Sequence, residues 1–183
     1  MTIVNYQDVL DFWFDPDNAE SLFAKDDAFD DAIRSRFGET WEAACVGLLW
    51  DWRQNAFGRL AEIIVLDQFS RNLCRGDARC FAQDGMSLVL AQELYSMPEF
   101  SKLLSPDQQA FAAMPFMHSE SSEVHRVSLR IFQEIGMENS LHFEVIHKDI
   151  IDRFGRYPHR NEVLGRLTTA EEAEFLKGPD SSF

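Results

Sequence analysis

Three stretches of the sequence concentrate side chains that can hold charge or move a proton. The segment Arg153-Phe154-Gly155-Arg156-Tyr157-Pro158-His159-Arg160-Asn161 sets three arginines and a histidine around a Gly/Pro break. Guanidinium groups grip carboxylates and phosphates two-pronged, and Pro158 at a first helical position would aim unpaired backbone N–H groups outward, so the composition is that of an anion site. The same arginines could instead pair locally, Asp149 with Arg153 and Asp152 with Arg156 at i,i+4. In Ile63-Ile64-Val65-Leu66-Asp67-Gln68-Phe69-Ser70-Arg71-Asn72 the helix is apolar nearly all round before Asp67, and Asp67 and Arg71 fall on one face. Burying either charge alone costs several kcal/mol or more, so each must be paired or line a wet cleft. In Met114-Pro115-Phe116-Met117-His118-Ser119-Glu120, His118 suits general-base work near neutral pH. Glu120, two residues on, would face elsewhere on a helix, so an orienting carboxylate has to come from another element. Ser119, Ser121 and Ser122 also read as N-caps for a helix beginning near Val124.

Three readings follow from these residues. The leading one is a binding module for a small anionic molecule or a peptide or protein partner, with Arg71, Arg156 and Arg160 as cations and Gln68, His159 and Asn161 as hydrogen-bonding neighbours. The rival is an enzyme using His118 or His159 as general acid/base with Asp67 or Glu120 as its orienting carboxylate. In the third, the polar groups form a buried network that fixes helix packing, and function resides on another surface. Spacing argues against a metal: His118 and His125 are about 10.5 Å apart along a helix, and His142 and His147 point to different faces. Zinc and calcium patterns, G-x-G-x-x-G, the P-loop and G-x-S-x-G do not occur, so no cofactor is implied.

The elements that must position these groups read as helices. Phe29, Ile33, Phe37, Trp41, Ala44 and Leu48 recur every three or four residues behind Asp26-Asp27, which predicts a helix over about 27–46. Ser105-Pro106-Asp107-Gln108 and Thr169-Ala170-Glu171-Glu172 have the form of capping boxes. Asn139 is expected to cap a helix ending near Gly155, and Pro158 and Gly165 to bracket a short helix. With segments at 6–14, 58–70 and after Gly76-Asp77, this gives an all-α single domain over 1–183 of about eight or nine helices. No repeat of about 34 residues is recognisable.

Composition narrows the partners. Thirty-one Asp and Glu against 17 Lys and Arg leave a net charge of −14 on 183 residues, which disfavours nucleic acid and anionic membrane surfaces. With 45% hydrophobic residues there is material for a continuous core. The excess is local: residues 1–45 carry 11 acids and 3 bases, net −8, whereas 147–166 carry 5 bases and 3 acids, net +2. No apolar run approaches the ~20 residues of a membrane span, and the opening residues lack a signal peptide's basic and apolar parts. Cys45, Cys74 and Cys80 cannot all pair internally and read as reduced thiols, for which the cytoplasm fits. Most aromatics read as core, with Trp50 and Trp52 the most exposed candidates.

Taken together, Val9-Leu10-Asp11-Phe12-Trp13-Phe14, Gly58-Arg59-Leu60-Ala61, Leu66-Asp67-Gln68-Phe69-Ser70-Arg71-Asn72, Met117-His118-Ser119-Glu120, Phe154-Gly155-Arg156-Tyr157-Pro158-His159-Arg160-Asn161 and Ser181-Ser182-Phe183 resemble a bacterial family known as domain of unknown function 924. Ser70 stands where the family usually has Pro. The resemblance implies an all-helical, tetratricopeptide-like superhelical array. It implies no established activity and no catalytic residues.

Overall fold

A computed structural model of the chain describes residues 2–97, 99 and 103–183, and among these the regular structure is entirely helical. Helix α1 (Tyr6–Trp13) is closed at its start by a reciprocal Asn5/Asp8 capping box. Helix α2 (Asp27–Cys45) starts where Asp26 accepts from the N–H groups of Ala28 and Phe29, and it fills the span that the apolar spacing predicts.

The centre of the molecule is one continuous rod. Helix α3 (Ala56–Ile64) passes through a π-helical turn (Val65–Phe69) into α4 (Ser70–Leu73). Leu60, Ala61, Ile63, Ile64, Val65, Leu66 and Phe69 are fully buried, as expected of a helix apolar on every side. Of its two early charges, Arg59 pairs with Glu93 at 2.6 Å, and Glu62 is fully buried and held by a two-pronged Arg53 at 2.7 Å per contact. Trp13 stacks edge-on against Phe69 and Phe111 at 5.6 and 5.5 Å, and Phe37 meets Phe69 at 5.3 Å, so α1 and α2 clamp the rod through aromatic rings.

Around the rod lie α5 (Asp84–Tyr95), α6 (Pro106–Met117), α7 (Ser122–Ile135), α8 (Glu138–Phe154) and α9 (Ala170–Phe175). The Ser105/Gln108 and Thr169/Glu172 capping boxes both form. Counting the rod once, the described residues hold eight helices in a single domain. A satellite core of Ile150, Ile151 and Tyr157, flanked by Phe154 and Phe175, joins the end of α8 to α9. No helix among the described residues is long and apolar enough to cross a membrane.

Two local expectations are corrected. Asn139 is not the cap of α8, which begins at Glu138 behind Met137 with no side-chain cap bond. Pro158 opens only a 3-10 turn (Pro158–Arg160), because the next residues are drawn out of register by the Asn161 carbonyl, which accepts from Arg166 N–H at 2.8 Å. Gly155 and Gly165 do adopt the left-handed φ values, 68° and 64°, that end the segments before them. Trp50 is 62% exposed, while Trp52 is partly buried against the core.

Candidate functional site

Asp67 lies in the π-turn, where the helix admits an extra residue per turn. Such turns recur at functional sites because they re-aim side chains that a regular helix would stack. Ser70 accommodates the change: its Oγ donates to the Leu66 carbonyl at 2.5 Å and accepts from Trp41 Nε1 at 2.9 Å. Asp67, with no exposed surface, then faces the C-terminal end of α6. His118 caps that helix, and its Nδ1 sits 2.8 Å from Asp67 Oδ1. The carboxylate that meets His118 thus comes from another element, as the spacing of His118 and Glu120 requires.

The pair belongs to a closed ring of polar contacts. Arg71 reaches Asp67 Oδ1 at 3.2 Å and the Asp67 carbonyl at 2.6 Å, and its other terminal nitrogen donates to Asp84 at 3.1 and 3.3 Å. Arg160 donates to the same Asp84 at 3.0 Å and returns to the His118 carbonyl at 3.1 Å. Gln68 adds a donated bond to Asp67 Oδ2 at 2.6 Å. The Arg160 guanidinium also lies over the rings of Phe81 and Tyr157, at 4.4 and 4.5 Å. Two carboxylates and two guanidiniums make the ring electrically neutral.

Protonation follows from this geometry. Burial alone pushes the Asp67 carboxyl up, but the Arg71 charge and the hydrogen bonds from His118 and Gln68 outweigh it and hold Asp67 below the ordinary carboxylate range. Burial and the nearby Arg71 charge hold His118 below the ordinary imidazole value, against the pull of Asp67. At neutral pH the pair is thus an aspartate and a neutral histidine, with the proton on Nδ1 directed to Asp67 and the lone pair on Nε2. No protein group among the described residues hydrogen-bonds Nε2, and the His118 side chain keeps 15% of its surface in solvent.

A second histidine–carboxylate pair lies behind the first. His125 and Glu144, both fully buried, meet at 2.9 Å, and His125 Nε2 contacts the Ser119 carbonyl at 2.9 Å and the Tyr157 hydroxyl at 3.1 Å. Tyr157 donates to the Met117 carbonyl at 2.5 Å, next to His118 in the chain. Both His125 nitrogens are engaged, so this pair fixes the end of α6 without offering a free base.

The remaining expected residues divide plainly. Glu120 does not orient a histidine; Arg166 grips it at 2.6 and 3.0 Å, and it accepts from the Tyr157 N–H at 2.8 Å. Arg156 and Asn161 engage Glu172, which Arg156 holds at 2.6 and 2.9 Å and Asn161 approaches at 3.3 Å. The arginines are consumed by carboxylates, though by different ones from the i,i+4 partners: Arg153 takes Glu171, Arg156 takes Glu172, and Asp152 is taken by Lys148. His159 stays near, its ring 5.6 Å from Tyr157, with its buried Nδ1 unpartnered among the described residues. Sequence reasoning missed Asp84, His147, Tyr157 and Phe81 as parts of this centre. Tyr157 lay inside a motif already singled out; Asp84, one acid among 31, carried no local signal. Among the described residues no group of three or more His, Cys, Asp or Glu is placed to hold a metal ion.

The family model for a bacterial protein of unknown function, DUF924, matches residues 9–180. The chain belongs to that family. A solved structure, that of a protein of unknown function (ATU0120) from Agrobacterium tumefaciens, is 36% identical, superimposes with a TM-score of 0.87, and is matched over 94% of this chain and 97% of its own. No curated protein matches the sequence. For this DUF924 member, function has to be argued from the site itself.

Proposed function

We propose that this DUF924 protein is an enzyme in which His118, oriented by Asp67, serves as general base and then general acid on a small substrate. The observation that supports it most is the 2.8 Å contact from His118 Nδ1 to a fully buried aspartate, with Nε2 left available. A carboxylate behind the imidazole fixes ring orientation and tautomer and stabilises the imidazolium that forms on proton abstraction. Among the described residues no Ser, Thr or Cys side chain hydrogen-bonds His118, which favours a base acting on water or on the substrate itself over a covalent nucleophile. Arg71, Arg160 and Gln68 act as positioning residues: they keep Asp67 ionised and Asp84 fixed.

The anion-binding reading draws support from two buried nitrogens without protein partners, Arg160 Nε and His159 Nδ1. It is weakened by the terminal guanidinium nitrogens, which are divided between Asp67, Asp84 and Glu172. The experiment is a panel of esters, amides, phosphoesters and lactones presented to wild type, His118→Gln and Asp67→Asn. Turnover that falls by about 10²-fold or more in both variants supports the reading, since positioned acid–base groups contribute about that much or more. Turnover unchanged in both variants contradicts it.

A further inference from the structure

The ring of Phe183 lies on the imidazole of His147, with centroids 3.9 Å apart and planes 30° from parallel, and it meets His159 at 6.1 Å nearly perpendicular. His147 in turn stands 6.4 Å from His118, so His147 is the neighbour shared by Phe183 and the dyad. His147 is only 5% exposed, whereas Phe183 is half exposed. One face of the phenyl ring therefore stacks and the other meets water. The segment that delivers it is anchored two residues earlier by Ser181, whose buried hydroxyl lies 3.2 and 2.9 Å from the Leu176 and Gly178 carbonyls. Asp180 there takes a left-handed φ of 53°, uncommon for a residue other than glycine. A specific backbone bend thus carries an aromatic ring to a histidine face, while the ring is retained by little more than stacking.

We propose that the space between His147 and His159 is a slot for a flat aromatic group of the substrate, and that Phe183 is its internal occupant, a plug displaced when the ligand arrives. The polar ring beside it is electrically neutral, and Arg160 is already engaged by Asp84, Phe81 and Tyr157, so what Phe183 itself covers next to the dyad is imidazole, His147 face-on and His159 at an angle. Burial keeps both imidazoles uncharged at neutral pH, which suits stacking on an uncharged ring. The inference rests on the dyad reading only for what happens to the ligand after it binds.

The test uses imidazole-detected NMR on the full chain with benzamide as probe and cyclohexanecarboxamide as the non-planar control, in wild type, Phe183→Ala and Phe183→Trp. Removing an internal competitor raises apparent affinity by the inverse of the unplugged fraction. Benzamide should shift His147 and His159 saturably in Phe183→Ala at about tenfold lower concentration than in wild type, with Phe183→Trp resembling wild type. In wild type, the cross-relaxation between Phe183 and His147 should disappear as benzamide saturates, a result that needs no variant to fold. Equal benzamide response in wild type and Phe183→Ala, persistence of the Phe183–His147 contact beside bound benzamide, or equal binding of cyclohexanecarboxamide would overturn the proposal. The His118 tautomer is read in the same spectra, so failure of the dyad and failure of the slot are told apart.

Discussion

At the scale of single residues, Asp67 is fully buried and takes contacts from three side chains, Arg71, His118 and Gln68. Asp67→Ala removes a fully buried partner of His118 and one of the two carboxylates that hold part-buried Arg71, and is expected to cost about 3 kcal/mol in urea unfolding. Asp67→Asn keeps the shape and should cost less while still disturbing His118. Burial drives His147 to about 3 and His159 to about 4. Because these folded-state values lie below the unfolded value near 6.5, the unfolded chain binds more protons between them, so stability falls as pH drops from about 6.5 toward 4 and then 3. Each such proton contributes at most about 1.4 kcal/mol per pH unit. Melting temperatures measured from pH 7 to 4 should therefore decline well before ordinary carboxylates titrate, and His147→Phe should flatten part of that decline. The chemical character of His118 and Asp67 could be read from residue type and surroundings. Their pairing could not, since 51 residues of chain separate them and only packing of the rod against α6 closes the gap.

Elements were readable where local chemistry decides them. Periodicity and the acidic cap set α2, and the capping boxes at Ser105 and Thr169 set the starts of α6 and α9. The π-turn left no such trace, because its cause is tertiary: Trp41 of α2 binds Ser70 while Ser70 occupies the Leu66 carbonyl. Glycine positions give a sharp test of the packing around the rod. A Cβ on Gly58 would lie 2.0 Å from the Trp52 carbonyl oxygen, whereas one on Gly85 meets nothing within 4 Å. Gly58→Ala is expected to destabilise by about 1–3 kcal/mol or more through forced displacement of the turn at Trp50–Gln54. Gly85→Ala, early in α5, should be neutral or stabilising by up to about 1 kcal/mol. Denaturant melts of the two variants side by side check both statements.

Across the whole molecule, the acidic balance and the basic island turn out to be one design. Residues 147–166 are net positive because they receive carboxylates brought from elsewhere: Asp84 at Arg160, Glu120 at Arg166, and Glu172 at Arg156. The last pair clasps α9 and the segment bearing Phe183 to the body. The Arg156 fork holds Glu172 down to about 2, below its unfolded value near 4.3, so this contribution is present above pH 4.3 and lost as pH falls toward 2. Arg156→Ala should speed amide hydrogen exchange in residues 169–183 while leaving the His118–Asp67 contact unchanged, which separates a clasp from a ligand-binding arginine. The island's charge was visible in the sequence, but the partners it draws come from α5, α9 and the turn after α6, which no local pattern specifies.

The central claim is that His118 is a neutral base oriented by an ionised Asp67. The most direct measurement is the nitrogen-15 spectrum of the His118 imidazole across pH 4 to 8, in wild type and Asp67→Asn. The account predicts a neutral ring at pH 7 with the proton on Nδ1, a titration below the ordinary histidine value, and a changed tautomer population or titration in Asp67→Asn. A proton resting on Nε2 in wild type, or an ordinary titration near 6.5 that Asp67→Asn leaves untouched, would contradict it.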